Sequence, residues 1–505
     1  MKTTKFLNIL FIFSILANAA FAQTETPPTP GAPRTAKIPA VVESRLPNGL
    51  KIATVERKNV PLVTVELLIL AGASNEETAK AGLANLTASM LTKGTRTKSA
   101  TQIAEAMEFL GGSINAGAGW NNSLVQINVL SDKLDAATAI LSDVVLNPTF
   151  KQEELDLLKT QTLDGLAYNL KQPGFLANYV ASKYSFEEHP AGGTPDSIKV
   201  LTRKDIVEYK KAGYQPAKAV LIFTGDITPA RARALAVKFF GTWRAAAVKK
   251  IVTTEENYPD PPKEISGQVL RQEIPIVRRL LVVDLANSGQ ASVNYTTITG
   301  EGRNDYDDNE KPLPNASYFP ANVLNSVLGG GYSSRLNQEI RIKRGLSYGA
   351  GSAFTWRADT SNFSTRTQTK NESAAEVAEL VLAELKRLAD TPVAANELAP
   401  RKLVLTGDFG RDLETTGGLA DRVAELYTFN LKPSELNSFI PGVNTVTDAQ
   451  VREFATQNLK YGDLIIVGDY SVFKDDLAKR FPNMKIEVVK ADNLDLNEEN
   501  LQKVK

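Results

Sequence analysis

The sequence predicts an α+β protein built of two homologous, α/β-layered halves. Three observations carry this reading: an internal repeat at about half the chain length, strands and helices interleaved without strict β-α-β alternation, and 505 residues, room for two domains of ordinary size. The repeat runs through Leu201-Thr202, Ile206, Glu208-Tyr209 and Leu221-Ile222-Phe223-Thr224-Gly225-Asp226. It recurs as Val446-Thr447, Val451, Glu453-Phe454 and Leu464-Ile465-Ile466-Val467-Gly468-Asp469, offset by 243 to 245 residues. Each copy reads as a Thr-capped helix, a short buried strand ending at Gly-Asp, and a second helix, Thr228 to Phe240 or Ser471 to Phe481. Chance recurrence of a common helix-strand-helix unit is the competing account, and two similar halves is the better one.

Along the chain, Lys2 and Lys5 precede an apolar run from Phe6 to Leu16 and the small-residue pattern Ala20-Phe21-Ala22, which reads as a secretory signal peptide over 1–22. Cleavage there removes two lysines and takes the net charge from +1 to −1. The run is too short for a membrane span and no Cys follows it, so the expectation is an exported, soluble protein, periplasmic or secreted, without a membrane anchor. A Pro-rich leader follows at 23–40. The first half spans 41–244, with strands over Leu62 to Leu70 and Leu124 to Leu130. Its helices are read over Glu77 to Leu91, Ala100 to Leu110, Ser131 to Leu146 and Gln152 to Leu170. Charged pairs and Pro259, Pro261 and Pro262 mark a linker at 245–272. The second half spans 273–487, with strands over Leu280 to Leu285, Leu346 to Trp356 and Phe363 to Thr369. Helices are read near Ala321 to Leu328, Ser334 to Lys343, Ala374 to Ala389 and Ala395 to Arg411, and a tail occupies 488–505. Gly300 to Pro314, with Asp305, Asp307, Asp308 and Glu310, reads as a solvated loop or insertion.

Composition excludes whole classes of chemistry. The 58 basic and 57 acidic residues leave no excess to attract nucleic acid. With no Cys and one His, His189, the chain lacks the thiolates and imidazoles that hold zinc, iron or copper, and it has no Cys nucleophile.

The segment Gly72-Ala73-Ser74-Asn75-Glu76-Glu77, continued by Gly82-Leu83-Ala84-Asn85-Leu86-Thr87-Ala88-Ser89-Met90-Leu91-Thr92-Lys93-Gly94-Thr95, resembles the pitrilysin or insulinase family of zinc peptidases, the inverzincins. In that family this helix carries H-x-x-E-H, two zinc ligands and a general base. Here those positions hold Asn85, Ala88 and Ser89, while the frame on both sides survives. Amide and hydroxyl oxygens are poor zinc ligands, and Ala88 offers no proton acceptor. Asn85 and Ser89 therefore read as polar residues on a half-buried helix face. The carboxylate that the family carries on a later helix would fall near Asp164, and alone it holds no zinc.

A second match is Leu328-Gly329-Gly330-Gly331-Tyr332-Ser333-Ser334-Arg335-Leu336, followed by Arg341-Ile342-Lys343-Arg344-Gly345-Leu346-Ser347-Tyr348. It resembles the family's substrate-side motif, in which an Arg and a Tyr seven residues apart reach toward the catalytic half. Arg341 would sit in the last turn of a helix, Gly345 would break it, and Tyr348 would open the next strand. By the resemblance, Arg341 holds the substrate backbone or carboxylate, and the Tyr348 hydroxyl stabilises the oxyanion of peptide hydrolysis. Taken alone, Arg341 would be a cation at a helix C-terminus, Tyr348 a half-buried strand residue and the Gly329-Gly330-Gly331 run a tight turn. A phosphate loop is the weaker account of that run, which lacks the P-loop Lys and spacing. His189, before Pro190, reads as a packing residue, since nothing nearby nominates a nucleophile or an orienting acid.

The resemblance covers about Val41 to Phe481 and implies a clam-like architecture of the insulinase or mitochondrial-processing-peptidase type. It implies a catalytically incomplete subunit without zinc of its own, lending Arg341 and Tyr348 to a zinc-bearing partner that degrades extended peptides. The alternatives are a non-enzymatic peptide-binding or scaffold protein of the same fold and, more remotely, a peptidase using a mechanism without metal.

Overall fold

The computed structural model describes residues 38–246 and 275–503, apart from 308 and 499. The signal peptide, most of the leader and nearly all of the expected linker lie outside these residues. In order, the first half runs β1 (Val42–Arg45), β2 (Lys51–Glu56), β3 (Leu62–Ile69), α1 (Leu83–Met90), α2 (Ala100–Phe109), β4 (Ser113–Ala118) and β5 (Ser123–Leu130). It continues through α3 (Leu134–Leu146), α4 (Gln152–Asn169), α5 (Pro173–Tyr184), α6 (Pro195–Val200), α7 (Arg203–Gly213), β6 (Ala219–Gly225) and α8 (Pro229–Phe240). The second half runs β7 (Ile276–Asp284), β8 (Ala291–Thr299), β9 (Asn304–Tyr306), β10 (Pro312–Pro314), α9 (Tyr318–Leu328), β11 (Ala350–Trp356) and β12 (Ser361–Thr369). After these come α10 (Ala374–Asp390), α11 (Ala395–Glu414), α12 (Thr416–Thr428), α13 (Phe439–Thr445), α14 (Asp448–Asn458), β13 (Tyr461–Gly468), α15 (Tyr470–Arg480) and β14 (Ile486–Lys490).

Two six-stranded sheets result, ordered β1-β2-β6-β3-β5-β4 and β14-β7-β13-β8-β12-β11. In each, one parallel pair (β2 with β6, β7 with β13) is followed by three antiparallel pairs, so five strands correspond one to one and only the outer strands β1 and β14 differ in direction. The repeat seen in sequence is the parallel pair's second strand with its flanking helices: β6 ends at Gly225 and β13 at Gly468. Both preceding helices start from a Thr cap, Thr202 and Thr447, whose hydroxyl accepts the N–H three residues on.

Each central strand is covered on both faces, which is why β6 and β13 read as continuous apolar runs instead of alternating ones. In the first sheet, Val63, Val65, Leu67, Leu221 and Phe223 face a core formed with helices of their own half. Ala53, Val55, Leu68, Val220 and Ile222 face Leu419, Val423, Leu426 and Tyr427 of α12, a helix of the other half. The second sheet mirrors this. Leu280, Val282, Leu464 and Ile466 face their own half, and Leu281, Val283, Ile465 and Val467 face Leu176, Val180 and Tyr184 of α5. Each half thus covers one face of its partner's sheet.

Three expectations need correction. Gly300 to Pro314 contains an antiparallel hairpin, β9 with β10, held by buried Arg303 stacked 3.8 Å from the Tyr318 ring. Tyr348 lies before a strand that starts at Ala350, so it stands in the connecting loop. The 488–505 segment buries Leu496 and Leu501 against the second sheet.

Candidate functional site

Helix α1 keeps the frame of a motif helix. It starts after Gly82, whose φ is +90°, and a Cβ there would come within 2.8 Å of Ile198 Cδ1, so only glycine fits without displacement. Glu76 reaches forward to cap it. Its fully buried carboxylate accepts the N–H of Gly82 at 2.7 Å and of Ala84 at 2.6 Å, satisfying donors that no helical carbonyl can reach. Burial pushes the Glu76 carboxyl up to about 8, against the downward pull of those N–H groups.

His189 is packed into the same region. Its Nδ1 lies 3.6 Å from Glu76 Oε1 and its ring 5.0 Å from that of Trp120. Trp120 in turn lies under the Arg357 guanidinium at 4.9 Å, and Arg357 grips Glu188 bidentately at 2.9 and 2.6 Å. Both members of that ion pair are buried, and they belong to different halves.

The donor set on α1 does not fit zinc. Ala88 is fully buried and bears no ligand atom, Asn85 and Ser89 present an amide and a hydroxyl, and Asp164 on α4 is exposed. The one buried carboxylate at this helix, Glu76, is committed to backbone N–H groups. Among the described residues no three His, Cys, Asp or Glu side chains converge as a metal site.

The second-half motif forms a different kind of surface. Arg341 sits in a wide π-helical turn, Asn337–Lys343. Gly345 ends it with φ +64°, the Gly345 N–H bonding back to Arg341 O at 3.0 Å and the Leu346 N–H to Ile340 O at 2.9 Å. The Arg341 guanidinium lies 4.9 Å from the Tyr332 ring. Gly329 lets its loop close on β11: its carbonyl accepts the Ser352 N–H at 3.2 Å, and a Cβ would stand 2.2 Å from that nitrogen. Gly330 is tight but less crowded, with Asn325 O 3.0 Å from where a Cβ would stand, whereas Gly331 faces open space. The first two glycines therefore answer to backbone approach, and nothing in their geometry suggests a phosphate cradle.

Two adjoining clefts open here. One, about 480 Å³, is lined by Gly329, Gly331, Tyr332, Arg341 and the start of β11. The other, about 450 Å³, lies between α5 of the first half and β8 and β12 of the second, with Tyr348 at its edge. Gly349 and Arg366 line both. Tyr348 is 90% exposed and makes no hydrogen bond among the described residues. Sequence reasoning missed Arg366, since only strand register places it beside Arg341.

Two family descriptions match this chain: "Insulinase (Peptidase family M16)" over residues 51–182 and "Peptidase M16 inactive domain" over residues 201–403. An uncharacterised zinc protease of Mycobacterium leprae is 25% identical over 451 residues, covering 87% of this chain and 94% of its own. An uncharacterised zinc protease of Bacillus subtilis, YmxG, is 23% identical over 81% of this chain and 93% of its own. A Pseudomonas fluorescens structure described as a peptidase M16 inactive domain superposes with a TM-score of 0.71 at 26% identity, covering 85% of this chain and 98% of that one. A Helicobacter pylori protease shares the fold at TM-score 0.73 and 20% identity, over 86% and 100% of the two chains.

Proposed function

Since this chain belongs to the pitrilysin/insulinase (M16) peptidase family and lacks its catalytic motif, we propose that it is an exported, zinc-less subunit that supplies Arg341 and Tyr348 to a zinc-bearing partner for peptide degradation. One observation carries the reading. The reactive groups are gone from an otherwise intact α1, while Arg341 and Tyr348 remain at open clefts with no carboxylate or hydrogen-bond partner inside the described chain. A strand-filling tyrosine would bury its ring, and this one projects into solvent. In a joint site the Tyr348 hydroxyl would donate to the negative charge developing on the substrate carbonyl oxygen, and Arg341 would hold substrate before the reaction starts. Zinc and the general base would come from the partner.

The test is reconstitution with a zinc-bearing homologue from the same genome. The mature chain, beginning at Gln23, should hold no stoichiometric zinc and should not cleave unstructured peptides alone. The pair should cleave them in a chelator-sensitive way. Tyr348→Phe should then lower kcat by roughly 10²–10³, about 2.7–4 kcal/mol, with little change in stability. Arg341→Ala should raise KM as well. Wild-type kinetics in both variants would leave a scaffold role in place of this one, and chelator-insensitive cleavage by the pure chain would refute the reading.

A further inference from the structure

The charge lining the two clefts is one-sided. Arg341 and Arg366 contribute to them and no Asp or Glu does, and neither guanidinium has an ion-pair partner among the described residues. Arg366 is held open by its place in the sheet. It alternates outward on β12 between buried Thr365 and Thr367. Its cross-strand neighbour on β11 is Gly351, which has no side chain to meet it, and on the β8 side the register runs unshifted from the Ser364–Thr296 pair to the Thr367–Val293 pair, which sets Arg366 opposite Asn294, another residue lining the second cleft. The second cleft is also lined by Gly174 and Phe175 in the first turn of α5, where the cap residue Gln172 makes no side-chain bond to the helix end. The positive end of a 12-residue helix dipole thus faces the same space.

We propose that this surface selects peptides by a carboxylate, with Arg366 as the residue that sets the preference. The proposal rests on the reading of these clefts as a substrate surface and adds the chemistry that they recognise. A carboxylate entering here meets the planar donors of Arg366 and the second cation Arg341, and no Asp or Glu lining the clefts opposes it. Acidic side chains and a free C-terminus share that chemistry.

The test is anisotropy binding of labelled, unstructured peptides to the full mature chain at low salt. One peptide is Asp/Glu-rich with an amidated C-terminus, one replaces those residues by Asn/Gln, and one is neutral with a free C-terminal carboxylate. At least one carboxylate-bearing peptide should bind roughly fivefold tighter than the neutral amide, the gain expected of a partly solvated ion pair, and which one does so identifies the source of the carboxylate. The preference should fade with salt, fall to about onefold in Arg366→Gln and persist in Arg366→Lys, with unchanged melting temperatures. Equal binding of all three peptides, or a preference that survives Arg366→Gln, overturns the carboxylate selection while leaving a peptide surface standing. Absence of binding to any peptide overturns both.

Discussion

Glu66 stands on β3 with its side chain fully buried, and one of its carboxyl oxygens accepts from Gln126 Nε2 at 3.2 Å. Asp421 of α12 lies against it from the other half. Burial, then the charge of Asp421, pushes the Glu66 carboxyl up to about 7, and burial raises Asp421 too. Because the folded pKa is raised, the protonated form is favoured by folding. The stability this group contributes is complete below about 4.5 and is lost as pH climbs through 7. Glu66→Gln keeps the shape, can still accept from Gln126 and can donate to Asp421. The variant should therefore gain stability over wild type at pH 8 by up to about 3 kcal/mol, with little difference at pH 4.5. Melting curves at the two pH values check this, and a variant that loses stability at pH 8 would show Glu66 to be a required anion. Nothing in the sequence marks Glu66, because its environment is made by a helix 350 or so residues away. That Asn85, Ala88 and Ser89 stand where the family carries two zinc ligands and a general base is read directly from the sequence, since ligand chemistry is a property of the residue itself. Arg366 lies between these cases: its charge is visible in the sequence, but its unobstructed position opposite Gly351 is a matter of register.

Elements were legible where local pattern and tertiary demand agree. Helices α2, α3, α4, α10 and α11 and strands β3, β5 and β12 fall within a few residues of their expected bounds. Strand β4, Ser-Ile-Asn-Ala-Gly-Ala, was missed because its residues favour strands weakly and only pairing with β5 holds it extended. Helices α5 and α12 were missed for the opposite reason: each packs on the other half's sheet, so no nearby sequence announces its apolar face. Two glycines test whether helix ends are set locally. At Gly345 a Cβ meets nothing within 4 Å, so Gly345→Ala adds only the cost of a left-handed backbone, about 1 kcal/mol. Gly82 has the same backbone demand plus the clash with Ile198 Cδ1 and a 3.0 Å approach to Gly193 Cα. Gly82→Ala should cost clearly more, about 2–4 kcal/mol once overpacking is added. Denaturant midpoints of the two variants decide it; equal losses would mean that the α1 start relaxes freely.

At the scale of the whole molecule, duplication and exchange of helices have a shared thermodynamic consequence. A pair of halves joined by a surface contact would unfold separately, but here one face of each sheet is covered by the other half. Removing α12 would expose Ala53, Val55, Leu68, Val220 and Ile222, and removing α5 would expose Leu281, Val283, Ile465 and Val467. Each large apolar side chain so uncovered costs about 1.5–3 kcal/mol, so losing one helix removes stability comparable to the roughly 5–15 kcal/mol that a folded protein holds in reserve. Polar bonds run across the same seams: Thr64 Oγ1 donates to Thr416 Oγ1 at 2.8 Å, and the buried Ser185 and Thr296 hydroxyls meet at 2.7 Å. The mature chain should accordingly melt in a single calorimetric transition. Leu419→Ala in α12 and Leu176→Ala in α5, both at nearly inaccessible positions, should each cost about 2–5 kcal/mol and shift that one transition as a whole, although the first touches mainly the first sheet and the second mainly the second. Two resolved transitions, with each substitution lowering only one of them, would show that the halves are independent domains. In that case α5 and α12 would be dispensable covers, and the cleft between α5 and the second sheet would open without unfolding either half.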